Sequence, residues 1–315
     1  MGRLSPGGAL TRPEQAAEAL RNGGLVILPT ETVYGLAADA ANASAVASIF
    51  VAKGRPRFNP LIAHVPDLAA ARRVALIDER ALALARRFWP GPLTIVAPMA
   101  DPQAVCDLAR AGLDTVAVRV PAHPLARQVL DRFHGPVVAP SANRSGRPSP
   151  TTFADAVEET GPAAQIALDG GPCDIGLEST VVSVLPGAVR LLRPGAVTRA
   201  ELEAAVGPLA EAELDARRSP GRLTAHYAPR APVRLEADGP REGEAYLAFG
   251  PSREREGVFN LSRHGDLREA AANLFAMLRA ADRLEPTAIA VATIPENGLG
   301  EAINDRLRRA AGLIG

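Results

Sequence analysis

Short apolar runs alternate with longer amphipathic stretches over roughly the first 208 residues of the chain. Apolar runs bounded by Gly, Pro or polar residues are typical of buried strands. They predict strands at 25–28, 61–65, 93–97, 115–120, 136–140, 165–169, 180–185 and 189–192. Helical patterns are found at 13–22, 43–52, 67–73, 78–88, 123–132 and 152–160. Strands mixed with helices predict a layered α/β domain.

The periodicity fades between residues 209 and 232, where Pro220-Gly221 and two further prolines are typical of a linker. Beyond it the pattern predicts strands at 233–236, 245–249 and 288–292, and helices at 267–282 and 299–311. These elements indicate a smaller Rossmann-like domain that lacks a GxGxxG loop. We therefore divide the chain into a main domain (1–208), a linker (209–232) and a C-terminal domain (233–315).

The bulk composition excludes several classes of protein. The 315 residues carry zero formal net charge, so any basic site must be local. No run of 18 apolar residues occurs, and the N-terminus lacks a signal-peptide pattern. Cys106 and Cys173 lie far apart and outside any CxxC, so we take both as inert. We expect a cytoplasmic enzyme or binding protein that holds no metal through a cage of its own side chains.

Lys53 is the only lysine among the 35 basic residues. We place it on a loop, because Gly and Pro interrupt the segment KGRPRFNP that begins with it. A lysine is a compact point charge and an arginine a planar fork, so the two are not interchangeable at a phosphate. Lys53 is either a phosphate-binding residue or a chance survivor on a solvated loop. The nearby Arg55, Arg57 and Asn59 favour phosphate binding.

Small, hydroxyl-bearing or basic clusters follow the predicted strands: PTETVYG (29–35), PSAN (140–143), DGG (169–171) and RPG (193–195), with EST (178–180) preceding one. In open α/β sheets the ligand crevice lies at strand ends, so these loops are expected to converge. Each cluster taken singly is more typical of a turn. The chain has no GxxxxGK[ST] loop, but Lys53, Arg55, Ser141, Asn143 and Arg193 could clamp a triphosphate from separate loops.

Arg119 follows an apolar run and therefore needs an anionic partner. That partner is either a ligand or an internal carboxylate such as Asp114 or Asp169, and the sequence leaves both open. From the residues alone, His64 is more typical of a hydrogen-bonded core histidine.

The chain resembles the YrdC-domain family in its long two-domain form. The matching segments are PTETVYGL (29–36), KGRP-x-x-NPL-x-x-H (53–64), WPGPLT (89–94), LDTVAVR-x-PAHP (113–124), APSAN (139–143), RPSPT (147–151), DGG (169–171), ESTVV (178–182), LLRPG (191–195), SPG (219–221), HYAP (226–229) and GLGEAINDRLRR (298–309). They cover nearly the whole chain in order. The resemblance implies a twisted mixed sheet with a concave, basic face, and a linker that closes the site through His226 and Tyr227.

The resemblance also implies a nucleotidyltransferase reaction, in which L-threonine, bicarbonate or CO2, and ATP give threonylcarbamoyl-AMP and pyrophosphate. The product would pass to a tRNA threonylcarbamoyltransferase, with no membrane and no direct tRNA binding required. Magnesium would accompany the phosphates, and no organic cofactor is implied.

By the same resemblance, threonine would be bound by Thr30, His64, Arg119 and Ser179. ATP would be bound by Lys53, Arg55, Asn59, Thr115, Ser141, Asn143, Ser149, Arg193 and His226. Lys53 and Arg55 would stabilise charge in the reaction, and no protein base is assigned.

Two rivals remain. An RNA-binding or ribosome-associated module could use the same basic face, although zero net charge and few aromatic residues count against it. A carbamoyl-transferring hydrogenase maturation protein carries a related domain, but it would add CxxC zinc repeats, which this sequence lacks.

Overall fold

The computed structural model describes residues 12–56, 58–210, 227–253 and 255–314. Two residues discussed above, Arg57 and His226, lie outside the described residues. No helix in the described part of the chain is long and apolar enough to cross a membrane.

Nine strands of the N-terminal domain form one mixed sheet in the order β7-β1-β2-β6-β3-β5-β4-β8-β9. The strands are β1 (Val26–Leu28), β2 (Gly35–Asp39), β3 (Ile62–His64), β4 (Leu93–Pro98), β5 (Thr115–Arg119), β6 (Val137–Val138), β7 (Ile166–Ala167), β8 (Thr180–Ser183) and β9 (Arg190–Arg193). Parallel pairs such as β3–β5 and β4–β8 lie beside antiparallel pairs such as β4–β5. The α/β mixed-sheet prediction is confirmed.

Eight α-helices accompany this sheet among the described residues: α1 (Pro13–Arg21), α2 (Ala43–Lys53), α3 (Leu68–Val74), α4 (Glu79–Phe88), α5 (Asp107–Arg110), α6 (Pro124–Phe133), α7 (Phe153–Thr160) and α8 (Arg199–Val206). Side-chain caps begin many of them. Asn42, Asp78 and Thr152 accept hydrogen bonds from the first free amides of α2, α4 and α7. The sequence pattern places all three of these capped helices within one residue of their observed bounds.

The two faces of the large sheet are covered differently. Ile27, Leu36, Ile95 and Val118 point into the main core, where they are fully buried. On the opposite face α1 and α6 cover β7, β1, β2 and β6. The rest of that face carries a small apolar cluster of Val96, Ala117 and Val181, edged by Ile62 and Leu192. Since side chains alternate along a strand, Thr115, His64 and Arg119 project from this same face.

The C-terminal domain has four parallel strands, where the pattern predicted three. They are β10 (Val233–Arg234), β11 (Ala245–Ala248), β12 (Val258–Asn260) and β13 (Ile289–Val291), in the order β10-β13-β11-β12. Two helices, α9 (Leu267–Asp282) and α10 (Leu299–Ala310), pack on them. The predicted boundaries at 208 and 232 stay predictions.

Arginines fasten the two domains together. Arg279 of α9 donates to Glu159 at 3.0 Å, and Arg283 just beyond α9 donates to Glu158 at 2.7 Å. Apolar contact adds to these ion pairs, because Val33 and Leu177 of the first domain belong to the core of the second. The interface therefore runs from helix α7 to the loop before β8.

Candidate functional site

A cavity opens on the face of the large sheet that α1 and α6 leave uncovered. Its lining comes from strand ends and from the loops that follow them. The lining residues are Thr32, Val33, Arg55, Pro60, Leu61, Ile62, His64, Arg119, Ala139, Pro140, Ser141, Glu178, Ser179, Arg193 and Tyr227. Four of the five predicted loops thus converge here, whereas DGG (169–171) contributes no lining residue, and six of the predicted site residues meet here: Arg55, His64, Arg119, Ser141, Ser179 and Arg193.

His64 and Arg119 stand side by side at the ends of β3 and β5. His64 is buried, and its Nδ1 lies 3.1 Å from the carbonyl oxygen of Ile62. Burial, and then the charge of Arg119, lowers the pKa of His64 to about 3. The imidazole is therefore neutral at physiological pH and acts as a hydrogen-bonding group.

Arg119 is held by an internal carboxylate, but not by either that the sequence suggested. Its Nη2 pairs with Glu31 at 2.5 Å, so Asp114 and Asp169 were the wrong partners. Its Nη1 donates to Thr32 Oγ1 at 2.9 Å and its Nε to the Gly91 carbonyl at 3.1 Å. A guanidinium has about five N–H donors, and Arg119 uses three of them in these bonds. Two N–H donors remain for a carboxylate in the cavity. Burial raises the pKa of Glu31, but the charge of Arg119 and the hydrogen bonds that Glu31 accepts together outweigh burial, so the pKa is lowered.

Lys53 is the last residue of α2 and is buried, which corrects its predicted place on a loop. The helix ends at Gly54, whose positive φ of 59° forms the C-cap. The ammonium group donates hydrogen bonds to the carbonyl oxygens of Ser141 and Asn143. Burial, followed by the charge of Arg55, lowers the pKa of Lys53. Lys53 therefore ties the helix to the PSAN loop.

Arg55 and Asn59 offer donors that the protein itself uses little. Arg55 makes only long bonds, of 3.3–3.5 Å, to the carbonyls of Asn59 and Pro60, and it pairs with no carboxylate in the described part of the chain. Burial and then the charge of Arg193 lower the pKa of Arg55 to about 10. The buried side-chain amide of Asn59 has no hydrogen-bond partner among the described residues. Both groups suit an anionic or polar ligand.

Another part of the cavity wall is a set of hydrogen bonds around Arg193 and Ser179. This guanidinium donates to the carbonyl of Ser179 at 2.8 and 3.1 Å, and Ser179 Oγ lies 2.7 Å from Thr94 Oγ1. The neighbouring Glu178 accepts a hydrogen bond from Ser149. Burial is the main cause that lowers the pKa of Arg193.

The other predicted site residues do not line the cavity. The Thr30 hydroxyl closes its own turn on Val33, and Thr115 lies at the far end of β5 from Arg119. Asn143 bonds the carbonyls of Arg144 and Arg147 through its side-chain amide. Ser149 is buried against Glu178. Their proposed contacts with substrates stay predictions.

Several residues that line the cavity, and Glu31, which holds Arg119 beside it, were not assigned a substrate from the sequence. Thr32 and Glu31 lie within the PTETVYG cluster, and Glu178 lies within EST, so the strand-end signal marked their segments but not their roles. Tyr227, expected in the linker that closes the site, lines the cavity and is fully buried. Burial raises its pKa to about 12.

Known proteins match this chain over nearly its whole length. Residues 18–195 match the family described as Telomere recombination, and residues 197–312 match the Threonylcarbamoyl-AMP synthase, C-terminal domain. The threonylcarbamoyl-AMP synthase of Bacillus subtilis is 38% identical over 95% of this chain and 92% of its own. That of Pyrococcus abyssi is 40% identical over 94% of this chain and 93% of its own.

The chain belongs to the threonylcarbamoyl-AMP synthase family. Its fold matches the crystal structure of P. abyssi Sua5 complexed with L-threonine, with a TM-score of 0.89 and 39% identity over 96% of this chain and 94% of that chain. Escherichia coli YciO, at 20% identity and a TM-score of 0.51 over 58% of this chain and 88% of its own, shows only that the fold is shared. The predicted family and synthase activity are confirmed.

Proposed function

We propose that this synthase forms L-threonylcarbamoyl-AMP from L-threonine, bicarbonate or CO2, and ATP, with release of pyrophosphate. The observation that carries the proposal is one cavity lined by two chemically distinct pairs of residues, which we call its two ends. His64 and Arg119 form the first end and provide a neutral donor or acceptor and a guanidinium. Arg55 and Arg193 form the second end and provide two further guanidinium groups.

At the first end, the two remaining N–H groups of Arg119 would receive the threonine carboxylate. A guanidinium binds a carboxylate through two parallel hydrogen bonds. Glu31 holds Arg119 in place and Ser179 offers a hydroxyl across the cavity. This end supports threonine as the amino-acid substrate, in line with the threonine complex of the P. abyssi relative.

At the second end, Arg55, Ser141 and Arg193 would hold the triphosphate, with the open amide of Asn59 beside them. The threonine amine would capture CO2 as a carbamate, a carbamate oxygen would attack the α-phosphorus, and pyrophosphate would leave. Fixed positive charge stabilises such a transition state without a covalent intermediate on the protein. The residues therefore act by positioning and by neutralising charge.

Magnesium would enter bound to the ATP phosphates, where it neutralises charge. The described residues contain no group of three or more His, Cys, Asp or Glu side chains placed to hold a metal ion. We further propose that the product passes transiently to a tRNA threonylcarbamoyltransferase in the cytoplasm.

The test is pyrophosphate release from purified protein, assayed with each substrate omitted in turn. We expect release only when ATP, threonine and bicarbonate are all present. Threonine-independent loss of ATP would contradict the proposal, and tight RNA binding without turnover would support the RNA-binding alternative.

Arg119→Ala tests the assignment of the two ends. We expect threonine affinity to fall by about 10-fold or more, because a charge-assisted hydrogen bond contributes about 1.5–3 kcal/mol, whereas ATP affinity changes little. Calorimetric titration with each substrate measures the difference. Equal losses for both would show that Arg119 is only the structural partner of Glu31.

A further inference from the structure

A single arginine of the C-terminal domain lies against the wall of the cavity. Arg306, on helix α10, is 1% exposed, which places it among the most deeply buried side chains described in the chain. It belongs to the segment GLGEAINDRLRR, to which neither end of the proposed site assigns a role. A buried guanidinium is costly unless its donors are satisfied, so its partners indicate what it is for.

Those partners are residues of the cavity wall or their immediate neighbours. The Nε of Arg306 donates to Glu178 at 3.0 Å, and Glu178 lines the cavity. Its Nη1 donates to the carbonyl oxygen of Pro194 at 2.8 Å, next to Arg193 in the chain. Its guanidinium carbon lies 5.5 Å from the centre of the Tyr227 ring, a cation–π distance. One side chain thus contacts three separate segments of the wall.

Arg306 is itself fixed from behind. Asp305 accepts from Arg306 Nη1 at 2.9 Å, and Arg309, one turn further along α10, donates to the same Asp305 at 3.1 Å. The α10 helix therefore presents a guanidinium whose orientation is set before any substrate binds. A planar fork can bond Glu178 and Pro194 together, which a lysine ammonium on a flexible stem does poorly.

We propose that Arg306 is a positioning residue that makes the C-terminal domain a structural part of the catalytic site. Through Glu178 it fixes Ser149 and the EST segment, through Pro194 it fixes the loop that carries Arg193, and through its ring contact it seats Tyr227. The inference rests on the proposed function, because Arg193 and Ser179 are the groups it would hold for ATP and threonine. Arg306 itself does not line the cavity.

The experiment compares Arg306→Gln and Arg306→Lys with Arg234→Gln in the full-length chain. Arg234 lies on strand β10 of the same domain and, among the described residues, its side chain bonds only Glu244 and the carbonyl oxygen of Gly239. Melting temperature and the KM and kcat for ATP and threonine are measured for each. We expect Arg306→Gln to lose kcat/KM by about 10- to 100-fold, because a displacement of about 1 Å in a positioned group has that effect.

We expect Arg234→Gln to lower the melting temperature, because it breaks the ion pair with Glu244, and to leave both kinetic constants within about twofold of the wild type. Arg306→Lys, which keeps the charge without the fork, is expected to fold and still lose turnover. If Arg306→Gln does not fold, the lysine variant decides.

Turnover by Arg306→Lys within about twofold of the wild type, or a parallel loss in the Arg306 and Arg234 variants, would overturn the proposal. The wild-type assay separates the two hypotheses. If the wild type releases no pyrophosphate with all three substrates, the proposed function fails. If the wild type turns over and Arg306→Lys does as well, only the role of Arg306 fails.

Discussion

At the scale of single residues, several charged side chains of the described site bond other groups of the protein. Lys53 holds two carbonyl oxygens of the PSAN loop, and Arg119 holds Glu31 and Thr32. These partners lie about 90 residues away in sequence, so no local pattern could reveal them. The sequence marked which charges matter, but it could not tell a phosphate contact from a contact that shapes the phosphate site.

Lys53 gives the sharpest residue-scale prediction. We expect Lys53→Ala and Lys53→Arg both to lower threonine-dependent pyrophosphate release by about 100-fold or more, because neither side chain can hold the PSAN loop in place. The alanine variant should also melt earlier, since it leaves two carbonyls without their donor.

The matched control is Arg86→Ala, which removes a basic residue from the last turn of another helix where the side chain is exposed. It should behave as the wild type does. Near-normal turnover by Lys53→Arg would mean that the lone lysine is an accident of composition.

His64 predicts a pH dependence of stability. Its pKa of about 3 in the fold lies below the ordinary value of 6.5, so the unfolded chain takes up the proton first as pH falls. The contribution of the neutral His64 imidazole to the free energy of unfolding is therefore fully present above pH 6.5. It is lost progressively as the pH falls from 6.5 to 3. From pH 7 to 5, the wild type should lose about 2 kcal/mol more unfolding free energy than His64→Gln.

Urea denaturation at the two pH values measures this difference. The same replacement at His264, which is exposed, should leave the pH dependence unchanged. Identical pH profiles for the wild type and His64→Gln would contradict a buried neutral imidazole.

At the scale of elements, most strands and helices were predicted within one or two residues. The strand β2 was missed because Gly35-Leu36-Ala37-Ala38-Asp39 combines residues of low strand propensity with the end of a polar cluster. The strand β12 is short and was missed too. The resemblance to the family predicted which residues bind substrates. How the loops pack against one another could be seen only in the structure.

The RPG loop shows such packing at Gly195. A Cβ at this position would lie 2.5 Å from the backbone nitrogen of Thr180 and 2.8 Å from the carbonyl oxygen of Glu178. We expect Gly195→Ala to lower the unfolding free energy by about 1–3 kcal/mol, since backbone atoms yield little to overpacking. The KM for ATP should rise as the loop shifts Arg193.

Thermal melts and initial rates measure both effects. At Gly239 an added Cβ meets nothing within 4 Å, so Gly239→Ala provides the same substitution without the collision. Wild-type behaviour of Gly195→Ala would show that the loop can relax.

At the scale of the whole molecule, the two domains share a core and several buried ion pairs. The ion pairs are Arg279 with Glu159 and Arg306 with Glu178. The shared core includes Val33 and Leu177 of the first domain. The sequence predicted two domains and a linker but not this interface. The interface residues are arginines, glutamates and aliphatic side chains, which are also common on surfaces or in cores that face no other domain.

This interface predicts that the domains unfold together. Trp89 is the single tryptophan and lies in the first domain, so its fluorescence reports that domain, while far-ultraviolet circular dichroism reports both. We expect the two urea transitions to coincide. Two separated midpoints would show that the domains are held together only loosely.

The distance of 128 residues between Glu178 and Arg306 also has a consequence for synthesis on the ribosome. At about 5–20 residues per second, Glu178 is made roughly 6–25 s before its partner. During that interval Glu178 of the nascent catalytic domain lacks its ion pair with Arg306. A newly made chain would therefore become an active enzyme only when helix α10 has been translated and docked.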